Sequence, residues 1–541
     1  MKNLLKVALV LVLASTMAFA VLPRVSVFAP PDTLVNVGGM GAIVAGVDVD
    51  GDGAKEIYLV NDNWGDLASE LVPRIYKLER PIGETDYQVV WEANAQDFDP
   101  TIIQNTWPTL SLTDLDADGK MELTWGIVNV EGAGLNPYRI WVYEHAGGDN
   151  FGIQNPTTLK WEPQSVWTIT DDDGANIRPM SWEVVDFDDD GVDEIVFASR
   201  KPSMTFGICS VSDIPDDGAG TETWTMEYSQ ADVVSYGGDN KWDVAVVGSN
   251  AYFFDEVKIS KVSWTGSAYT YSEMDPLPGG ISFDAAQVCD IDGDGTEEIV
   301  NGDCTYGDAT RNIWLLQEDG DTLLKTALFD IAGEAYLNGG TIYGGDHGDI
   351  DGDGNVDFIF GSNSSGPPDA MIFRVEYDGD GAITDPVNYE LTFADTAAFA
   401  AGGRYNVIDV CNLDVDAEDE IIYTSSIADD SYYPLVILDG NGYTTGIRDV
   451  FTPISFELGK AYPNPFNPST IIPFTLENAG NITLTVFNVK GARVATLVQN
   501  EVMESGYHNV MFDASDLASG VYVYQLQVDN TVRAAKMVLN K

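Results

Sequence analysis

The sequence has 541 residues, 44% of them hydrophobic, which is enough for a large core and more than one domain. Its 86 acidic residues against 27 basic ones give a formal net charge of −59 at pH 7. Such a charge repels nucleic acids and anionic membrane surfaces, so neither is expected as a partner, whereas it favours the binding of cations.

The chain begins with a pattern typical of a secretory signal peptide. Lys2 and Lys6 precede an apolar run over residues 7–17, and Ala18-Phe19-Ala20 has the form of a cleavage site. We therefore expect residues 1–20 to be removed on export. No later segment approaches the roughly 20 apolar residues of a membrane-spanning helix, so the sequence predicts a secreted protein without a membrane span.

An acidic motif of nine residues recurs along the chain. Five copies have aspartate at positions 1, 3 and 5, glycine at position 6 and an acid at position 9; they begin at residues 48, 114, 186, 290 and 349. Alternate carboxylates of a tight turn can all point at one Ca²⁺ ion, and glycine tolerates the backbone conformation that the turn needs. An EF-hand would have its last acid at position 12 and flanking helices. Here an apolar run follows, which predicts a loop between two strands.

Two further copies are incomplete. The copy at 412–420 has Asn412 at position 1 and Ala417 at position 6. The copy at 235–243 has Ser235 and Gly237 in place of the first two ligands but keeps Asp243, which is followed by a strand-like segment. The seven copies predict seven repeated structural units.

The segments around each copy predict four short antiparallel strands. The strand after each loop is apolar on both faces, for example at 57–60, 195–197, 358–360 and 421–423, which predicts burial on both sides. Four-stranded sheets stacked face to face in a ring satisfy this and protect the sheet edges. We predict an all-β fold in which residues 21–453 form a seven-bladed β-propeller, with residues 24–28 adding a strand to the last blade.

The repeated loop resembles that of the FG-GAP/VCBS propellers, the class that includes the integrin α-subunit head, over roughly residues 24–453. The resemblance implies Ca²⁺ ligands at loop positions 1, 3, 5 and 9 and a backbone carbonyl ligand at position 7. The implied ligands of five sites are Asp48, Asp50, Asp52, Ala54, Glu56, Asp114, Asp116, Asp118, Lys120, Glu122, Asp186, Asp188, Asp190, Val192, Glu194, Asp290, Asp292, Asp294, Thr296, Glu298, Asp349, Asp351, Asp353, Asn355 and Asp357. The incomplete copy implies a sixth set, Asn412, Asp414, Asp416, Glu418 and Glu420.

A change of composition marks residues 454–541 as a second domain. Three prolines within 461–470 predict a rigid linker and first turn. Alternating strands at 482–487, 493–498, 520–526 and 535–539 predict a small Ig-like β-sandwich. The motifs Y-P-N-P-F-N-P-S-T, V-F-N-V-K-G and K-M-V-L-N-K resemble the C-terminal sorting domain of type IX secretion substrates. That resemblance implies export across the outer membrane, often with removal of the tail and attachment at the cell surface. An Ig-like module without an export role is the alternative.

The four cysteines leave two interpretations open. Cys289 and Cys304 flank the same predicted hairpin and are the expected pair in an oxidising compartment. Free buried thiols are the alternative for these two and for Cys209 and Cys411. No Cys/His metal-binding spacing is present in the sequence.

The sequence favours a binding protein over an enzyme. It has three histidines, His145, His347 and His508, and no nucleophile, zinc or phosphate-loop motif. Our hypothesis is a calcium-binding, cell-surface or secreted propeller for adhesion to an extracellular glycan or protein, which contacts the secretion machinery through its tail. The alternative is a lyase-like, polysaccharide-degrading enzyme on a calcium-bearing propeller. Three tryptophans would either stack on sugars or pack between blades: Trp64, Trp107 and Trp161.

Overall fold

The structure is a computed structural model, and it describes most of the chain. The described residues are 24–28, 39–62, 72–81, 86–104, 107–127, 137–200, 203–215, 220–231, 241–255, 258–278, 281–304, 312–320, 322–331, 342–364, 372–379, 381–395, 403–404, 407–414, 416–424, 435–439, 456–476, 480–488, 493–503, 506–515, 517–528 and 531–541. The expected signal peptide at 1–20 lies outside them. The chain divides into two compact units, residues 1–449 and 450–541. Within the described ranges, no helix has the length and apolar character needed to cross a membrane.

The described part of unit 1 contains short strands, a four-residue helix α1 (Ala95–Phe98) and a 3-10 turn at Pro386–Asn388. In chain order the strands are β1 (Arg24–Phe28), β2 (Gly39–Val47), β3 (Glu56–Asp62), β4 (Arg74–Glu79), β5 (Gln88–Asn94), β6 (Thr109–Thr113), β7 (Glu122–Gly126), β8 (Ile140–Gly147), β9 (Asn150–Phe151), β10 (Ile153–Gln154), β11 (Trp161–Glu162), β12 (Ser165–Trp167), β13 (Arg178–Val185), β14 (Glu194–Arg200), β15 (Thr205–Ser212), β16 (Thr223–Ala231), β17 (Asp243–Val247), β18 (Asn250–Phe254), β19 (Ile259–Trp264), β20 (Tyr269–Met274), β21 (Ile281–Cys289), β22 (Glu298–Cys304), β23 (Asn312–Asp319), β24 (Thr322–Asp330), β25 (Ile342–Gly348), β26 (Asp357–Ser364), β27 (Ile372–Tyr377), β28 (Tyr389–Asp395), β29 (Gly403–Arg404), β30 (Val407–Cys411), β31 (Glu420–Thr424) and β32 (Leu435–Leu438).

These strands form seven antiparallel sheets of one design, which confirms the all-β prediction. Sheets 1 to 7 pair in the orders β2-β3-β4-β5, β6-β7-β8-β12, β13-β14-β15-β16, β17-β18-β19-β20, β21-β22-β23-β24, β25-β26-β27-β28 and β30-β31-β32-β1. Strand β9 pairs with β8, β10 with β11, and β29 with β26. The prediction that residues 24–28 add a strand to the last sheet is confirmed, because β1 pairs antiparallel with β32.

The first strands of the seven sheets contact one another in a cyclic order. Contacts join β2 to β6, β6 to β13, β13 to β17, β17 to β21, β21 to β25, β25 to β30, and β30 back to β2. Carboxylates support this order: Asp346 Oδ2 accepts the N–H of Val410 at 2.7 Å, and Asp409 Oδ2 accepts the N–H of Ala45 at 3.1 Å. Sheets 6, 7 and 1 are thereby linked in succession.

The second strand of a sheet is buried on both faces, as its composition predicts. In β3 four successive residues from Ile57 to Val60 are fully buried. Ile57 and Leu59 pack into the apolar cluster shared with sheet 7, whereas Tyr58 and Val60 pack into the cluster shared with sheet 2. Seven such clusters each combine residues of two successive sheets. Because side chains of a strand alternate between faces, an apolar strand serves two cores at once.

The prediction that residues 235–243 form a loop between the first and second strands of a sheet is wrong. Asp243 begins β17, the first strand of sheet 4, whereas the motif requires its last acid to begin a second strand. The link from first to second strand in this sheet is a two-residue turn, Gly248-Ser249, between paired residues Val247 and Asn250. Ser235, Gly237 and Asp239 lie outside the described residues. Sheet 4 therefore keeps the common design but has a tight turn where six other sheets have the nine-residue loop.

The expected Cys289–Cys304 bridge is also wrong. Cys289 pairs with Glu298 at one end of the β21–β22 hairpin, and Cys304 pairs with Ile281 at the other end. Six residues of strand between positions 298 and 304 span about 20 Å, far beyond the roughly 7 Å between Cα atoms that a disulfide allows. Cys209, Cys289 and Cys411 are free thiols.

Unit 2 contains two sheets around one core, as predicted for a β-sandwich. Its strands are β33 (Phe456–Leu458), β34 (Ser469–Leu476), β35 (Gly480–Asn488), β36 (Arg493–Met503), β37 (Gly506–Asp513), β38 (Gly520–Val528) and β39 (Thr531–Leu539), paired as β33-β34-β37 and β36-β35-β38-β39. Both sheets contribute to a single apolar cluster.

The proline-rich segment at 461–470 is part of this sandwich rather than a linker. Phe466 is buried in the core, its N–H donates to Val538 O at 2.9 Å, and its carbonyl accepts the N–H of Asn540 at 3.0 Å. The prolines lack the N–H needed in a regular ladder, yet the aromatic side chain between them fixes the segment to the core.

Candidate metal centres

Six acidic loops occupy equivalent places in unit 1. Each joins the first strand of its sheet to the second, and the loops belong to sheets 1, 2, 3, 5, 6 and 7. We call them loops 48, 114, 186, 290, 349 and 412 after their first residues. This is the arrangement that the sequence motif predicts for strand-to-strand loops.

The acid at position 1 organises the turn in the five complete loops. In loop 114, Asp114 Oδ2 accepts the N–H of Gly119 at 3.0 Å, and loops 48, 186, 290 and 349 repeat this bond between positions 1 and 6. Gly119 has φ +94°, a left-handed conformation that glycine adopts without strain. The position-5 acids accept the N–H of position 7, for example Asp118 Oδ1 from Lys120 at 2.9 Å. The carboxylates therefore shape their own loop.

The acid at position 9 closes every loop in the same way. One of its oxygens accepts the N–H of position 2; the bonds join Glu56 to Val49, Glu122 to Leu115, Glu194 to Phe187, Glu298 to Ile291, Asp357 to Ile350 and Glu420 to Leu413, at 2.5–3.3 Å. The acid begins the second strand and is held by the backbone that follows the first. Its other oxygen is thus directed into the loop.

Loop 114 offers three carboxylate oxygens that lack hydrogen-bond partners among the described residues. They are Asp114 Oδ1, Asp116 Oδ1 and Glu122 Oε1, all buried, and the three side chains can present oxygens within 4.8 Å of one another. Burial raises the pKa of Glu122 to about 9, and the neighbouring carboxylates of Asp116, Glu144 and Asp114 add to the rise. Buried, unpaired acceptors are costly, and a hard cation would satisfy all three.

Loop 186 has the same character, whereas loop 290 shares with it the positions of the acids and a buried position-9 acid, Glu298. Asp186, Asp188 and Glu194 form another group with oxygens within 4.8 Å, and Asp188 Oδ1 is buried without a hydrogen-bond partner. Burial is the main cause that raises the pKa of Glu194, to about 8, and of Glu298 in loop 290. Among the described residues, no lysine or arginine lies within ion-pair distance of the acids of these two loops. The residues of loops 114 and 186 fit a divalent cation, and loop 290 presents acids at the same positions.

Loops 48 and 349 are different, because a basic side chain reaches the position-3 and position-9 acids of each. In loop 114 the Lys120 ammonium is 3.8 Å from the position-5 acid Asp118 and 2.6 Å from Glu144, which lies outside the loop. Lys77 Nζ lies 3.0 Å from Glu56 Oε1 and 3.4 Å from Asp50 Oδ2. In loop 349, Arg374 donates to the position-9 and position-3 acids, Asp357 and Asp351, at 2.5 and 2.8 Å. The acids are brought together as predicted, but a positive charge of the chain already contacts them.

Loop 412 lacks the geometry of the complete copies. Ala417 replaces the position-6 glycine without a positive φ. The amide nitrogen of Asn412 donates to the carbonyl of Glu418 at 3.0 Å, the position-7 oxygen that a metal ion would need. Lys55 Nζ in turn donates to Asn412 Oδ1 at 2.8 Å. This loop is closed by hydrogen bonds, and its residues do not fit the implied sixth ion.

A cavity of about 830 Å³ lies between the seven sheets and is lined by residues from all seven first strands. Acids on three of those strands face it: Glu183, Asp284 and Asp346. Both side chains are exposed to the cavity, but desolvation by the enclosing strands, followed by repulsion from neighbouring carboxylates such as Asp243, raises the pKa of Glu183 to about 8 and that of Asp284 to about 7. These groups can hold a proton near neutral pH. The sequence analysis missed them, since single acids in alternating strands carry no motif.

Comparison with protein families identifies the tail. A family model described as "Secretion system C-terminal sorting domain" matches residues 460–540. Residues 460–540 are a C-terminal sorting domain. Sorting domains of this family belong to the type IX secretion system. The domain therefore indicates secretion through that system or attachment at the cell surface, and it predicts contact with the secretion machinery. The sorting domain covers the sandwich of unit 2 and leaves unit 1 unassigned.

The other comparisons describe fold likeness only. No curated protein matches the chain. Similar solved structures include a fungal alcohol oxidase of the AA5 family in complex with copper (12% identity, TM-score 0.42, 94% of this chain and 100% of that one), a protein from Lactobacillus plantarum (12%, 0.33, 73% and 100%) and an exo-β-1,3-galactanase from Phanerochaete chrysosporium with β-1,3-galactotriose (10%, 0.30, 95% and 99%).

The remaining candidates from the sequence have structural roles or lie apart from the loops. Trp107 is buried against Phe283, with ring centroids 5.3 Å apart, and Trp64 lies outside the described residues. His145 contacts the carbonyl of Gly148, and in the sorting domain His508 stacks on Phe474. His347 lines the cavity. Lys77 and Arg374 were missed, although each is a basic residue with apolar neighbours on both sides in its strand.

Proposed function

We propose that this chain is a secreted, calcium-binding β-propeller of the FG-GAP/VCBS kind that acts as a binding or adhesion module and is exported through its sorting domain. The observation that carries the proposal is loop 114, where three buried carboxylate oxygens from positions 1, 3 and 9 converge without hydrogen-bond partners. An arrangement of that kind is unfavourable unless a cation completes it.

The cyclic order of the first strands supports the seven-bladed propeller. An open stack of sheets would leave its first and last sheets apart, whereas β30 contacts β2 and one apolar cluster contains residues of sheets 1 and 7. The cavity lined by all seven first strands is the central channel of such a ring. A ring also leaves few sheet edges exposed.

Calcium is the cation that the donors favour. Every side-chain donor in loops 114, 186 and 290 is a carboxylate, and hard oxygen donors from a flexible loop suit Ca²⁺ better than Mg²⁺, which demands a near-ideal octahedron. The role is structural, because each loop joins two strands of one sheet and its position-9 acid is already bonded to the backbone. The ion would neutralise acids that otherwise repel one another.

A binding role fits the chemistry of the loops better than catalysis does. The spacing of the acids is explained by metal coordination, and the described histidines take no part in the loops. The partner would be an extracellular glycan or protein, and the channel is a surface of suitable size because ligand sites commonly occupy 300–1,000 Å³.

Calcium dependence of unfolding tests the proposal. Thermal unfolding of the purified full chain would be followed in 1 mM Ca²⁺, in 1 mM Mg²⁺ and in EDTA. We expect the transition of unit 1 to move upward in Ca²⁺ by several degrees and little in Mg²⁺. An ion that binds only the folded state adds about 2.7 kcal/mol per site at one hundred times its Kd. Identical transitions in Ca²⁺ and EDTA would disprove the calcium role.

The cavity acids favour one second candidate, a polysaccharide-degrading enzyme. Glu183 and Asp284, with pKa values raised to about 8 and about 7, have the protonation behaviour of general acids or bases. Acidic glycans would be screened for new unsaturated ends, with Glu183→Gln as the matched variant. Turnover that is lost in this variant would favour the enzyme; glycan retention without turnover would favour the binding module.

A further inference from the structure

Lys77 is a fully buried lysine whose ammonium group is surrounded by acids. It lies in β4, the third strand of sheet 1, and its Nζ is 3.0 Å from Glu56, 3.0 Å from Asp149 and 3.4 Å from Asp50. Glu56 and Asp50 are positions 9 and 3 of loop 48. A buried ammonium is stable only with such partners, so the lysine and the loop acids form one unit.

Arg374 makes the corresponding arrangement in sheet 6. It lies in the third strand, β27, and its guanidinium bridges Asp357 and Asp351, positions 9 and 3 of loop 349. Its Nη2 is also 2.9 Å from Glu376 Oε2. A planar guanidinium suits several carboxylates at once, and the contacts already give the acids at positions 3 and 9 of this loop a positive partner.

The two basic residues hold the same place in their sheets. Lys77 pairs with Tyr58 and Arg374 with Ile359, and each partner lies two residues after the position-9 acid. The equivalent residues of the other loop-bearing sheets are apolar: Val142, Ile208, Leu315 and Ile437. An apolar side chain at this place leaves the loop acids for another cation, whereas a basic one reaches them.

We propose that the Lys77 ammonium and the Arg374 guanidinium take the place of the divalent ion in loops 48 and 349, so that these loops close without metal. Calcium then binds loops 114, 186 and 290, and the folded chain holds three ions rather than the five implied by the motif. The inference rests on the proposed calcium role of the open loops. A divalent ion in loop 48 would share Glu56 and Asp50 with a buried positive charge, and the repulsion would be weakly screened.

Ion counting on the full chain tests this inference. Bound calcium per chain would be measured by native mass spectrometry, and by elemental analysis after gel filtration in 1 mM Ca²⁺ with the calcium of the buffer subtracted. We expect three ions for the wild type, four for Lys77→Met, four for Arg374→Met and five for the double variant. Leu315→Met, at the equivalent place of sheet 5, is the matched control and should keep three ions.

The charge-conserving variants Lys77→Arg and Arg374→Lys should also keep three ions, and they remain informative if a methionine variant does not fold. Five or six ions on the wild type would overturn this inference while leaving the calcium role intact. Unchanged counts in folded Lys77→Met and Arg374→Met would also overturn it. A wild type that binds no calcium would instead overturn the proposed function, and with it the division of the loops.

Discussion

Glu122 Oε2 accepts the backbone N–H of Leu115 at 2.6 Å, while Glu122 Oε1 is buried without a hydrogen-bond partner among the described residues. One carboxylate therefore has two tasks: it fixes the start of its loop, and it presents an oxygen to the loop interior. The same bond from position 9 to position 2 recurs in all six loops, including loop 412, which has lost the metal geometry. The bond that closes the loop therefore forms with or without a geometry that could bind an ion.

We expect Glu122→Gln to lose one calcium ion while the loop keeps its shape. The glutamine oxygen can still accept the Leu115 N–H, but the second atom becomes an NH₂ group that cannot bind a cation. The calcium-induced gain in the free energy of unfolding should fall by about 1–3 kcal/mol, the contribution of one ion at ten to one hundred times its Kd. Titration calorimetry and calcium-dependent unfolding would measure both effects.

The matched control for that change is Glu390→Gln, which alters an exposed acid of β28 outside the loops. It should leave the ion count and the unfolding curve unchanged. An unaltered calcium response in Glu122→Gln itself would contradict the assignment of loop 114 as a metal centre.

Local patterns predicted the units of this fold well. Six of the seven copies of the acidic motif predicted the place of a loop and its sheet, because each loop carries its acids within nine residues; the seventh copy, at 235–243, pointed to sheet 4 but placed the loop wrongly. The doubly apolar second strands predicted burial on both faces, and residues 57–60 are divided between two cores. The bond from position 9 to position 2 was not predicted, since the motif shows only that both positions exist.

Contacts between strands distant in the sequence could not be predicted from the motif. Lys77 follows Glu56 by 21 residues and Arg374 follows Asp357 by 17, and only the strand register brings each pair together. The motif is misleading in the opposite way at sheet 4, because Asp243 resembles a position-9 acid but begins a first strand. There its carboxylate accepts the backbone N–H groups of Ala285 and Ala286 in the next sheet.

The cysteines should show no Cys289–Cys304 bridge. The register places these residues at opposite ends of the β21–β22 hairpin, and burial raises the pKa of the Cys289 thiol to about 12, which suppresses its reactive thiolate. Peptide mapping without reduction, after alkylation of the unfolded chain, should recover Cys289 in alkylated form. A linked peptide that contains both cysteines would contradict the hairpin register.

Tyr524→Phe should destabilise the sorting domain and leave calcium binding unchanged. The Tyr524 hydroxyl accepts the N–H of Ala461 at 2.9 Å and donates to Gly459 O at 2.8 Å, so it fixes the chain that leads into the proline-rich segment. Its removal leaves two backbone groups without this partner, at a cost of about 1–3 kcal/mol. Denaturant unfolding would measure the loss. Tyr462→Phe, on a side chain that is 77% exposed, should change the stability by less than about 0.5 kcal/mol.

Because of the acids that face the cavity, we expect the stability of the folded chain to decrease as the pH rises. The variant Glu183→Gln isolates the contribution of one of these acids. Glu183 is exposed to the cavity, but desolvation by the enclosing strands and repulsion from neighbouring carboxylates raise its pKa to about 8, above the value near 4.3 expected in the unfolded chain. Between these values the folded state binds a proton that the unfolded state does not, so this contribution is complete below about pH 4 and is lost as the pH rises through 8.

The melting temperature of Glu183→Gln relative to the wild type should therefore rise from pH 5 to pH 9, with Ca²⁺ held in excess. Glu183→Asp keeps a titrating carboxylate and should follow the wild type, because Asp243, Asp284 and Asp346 still repel it. A difference between Glu183→Gln and the wild type that stays constant with pH would show that Glu183 is ionised in the cavity throughout this range.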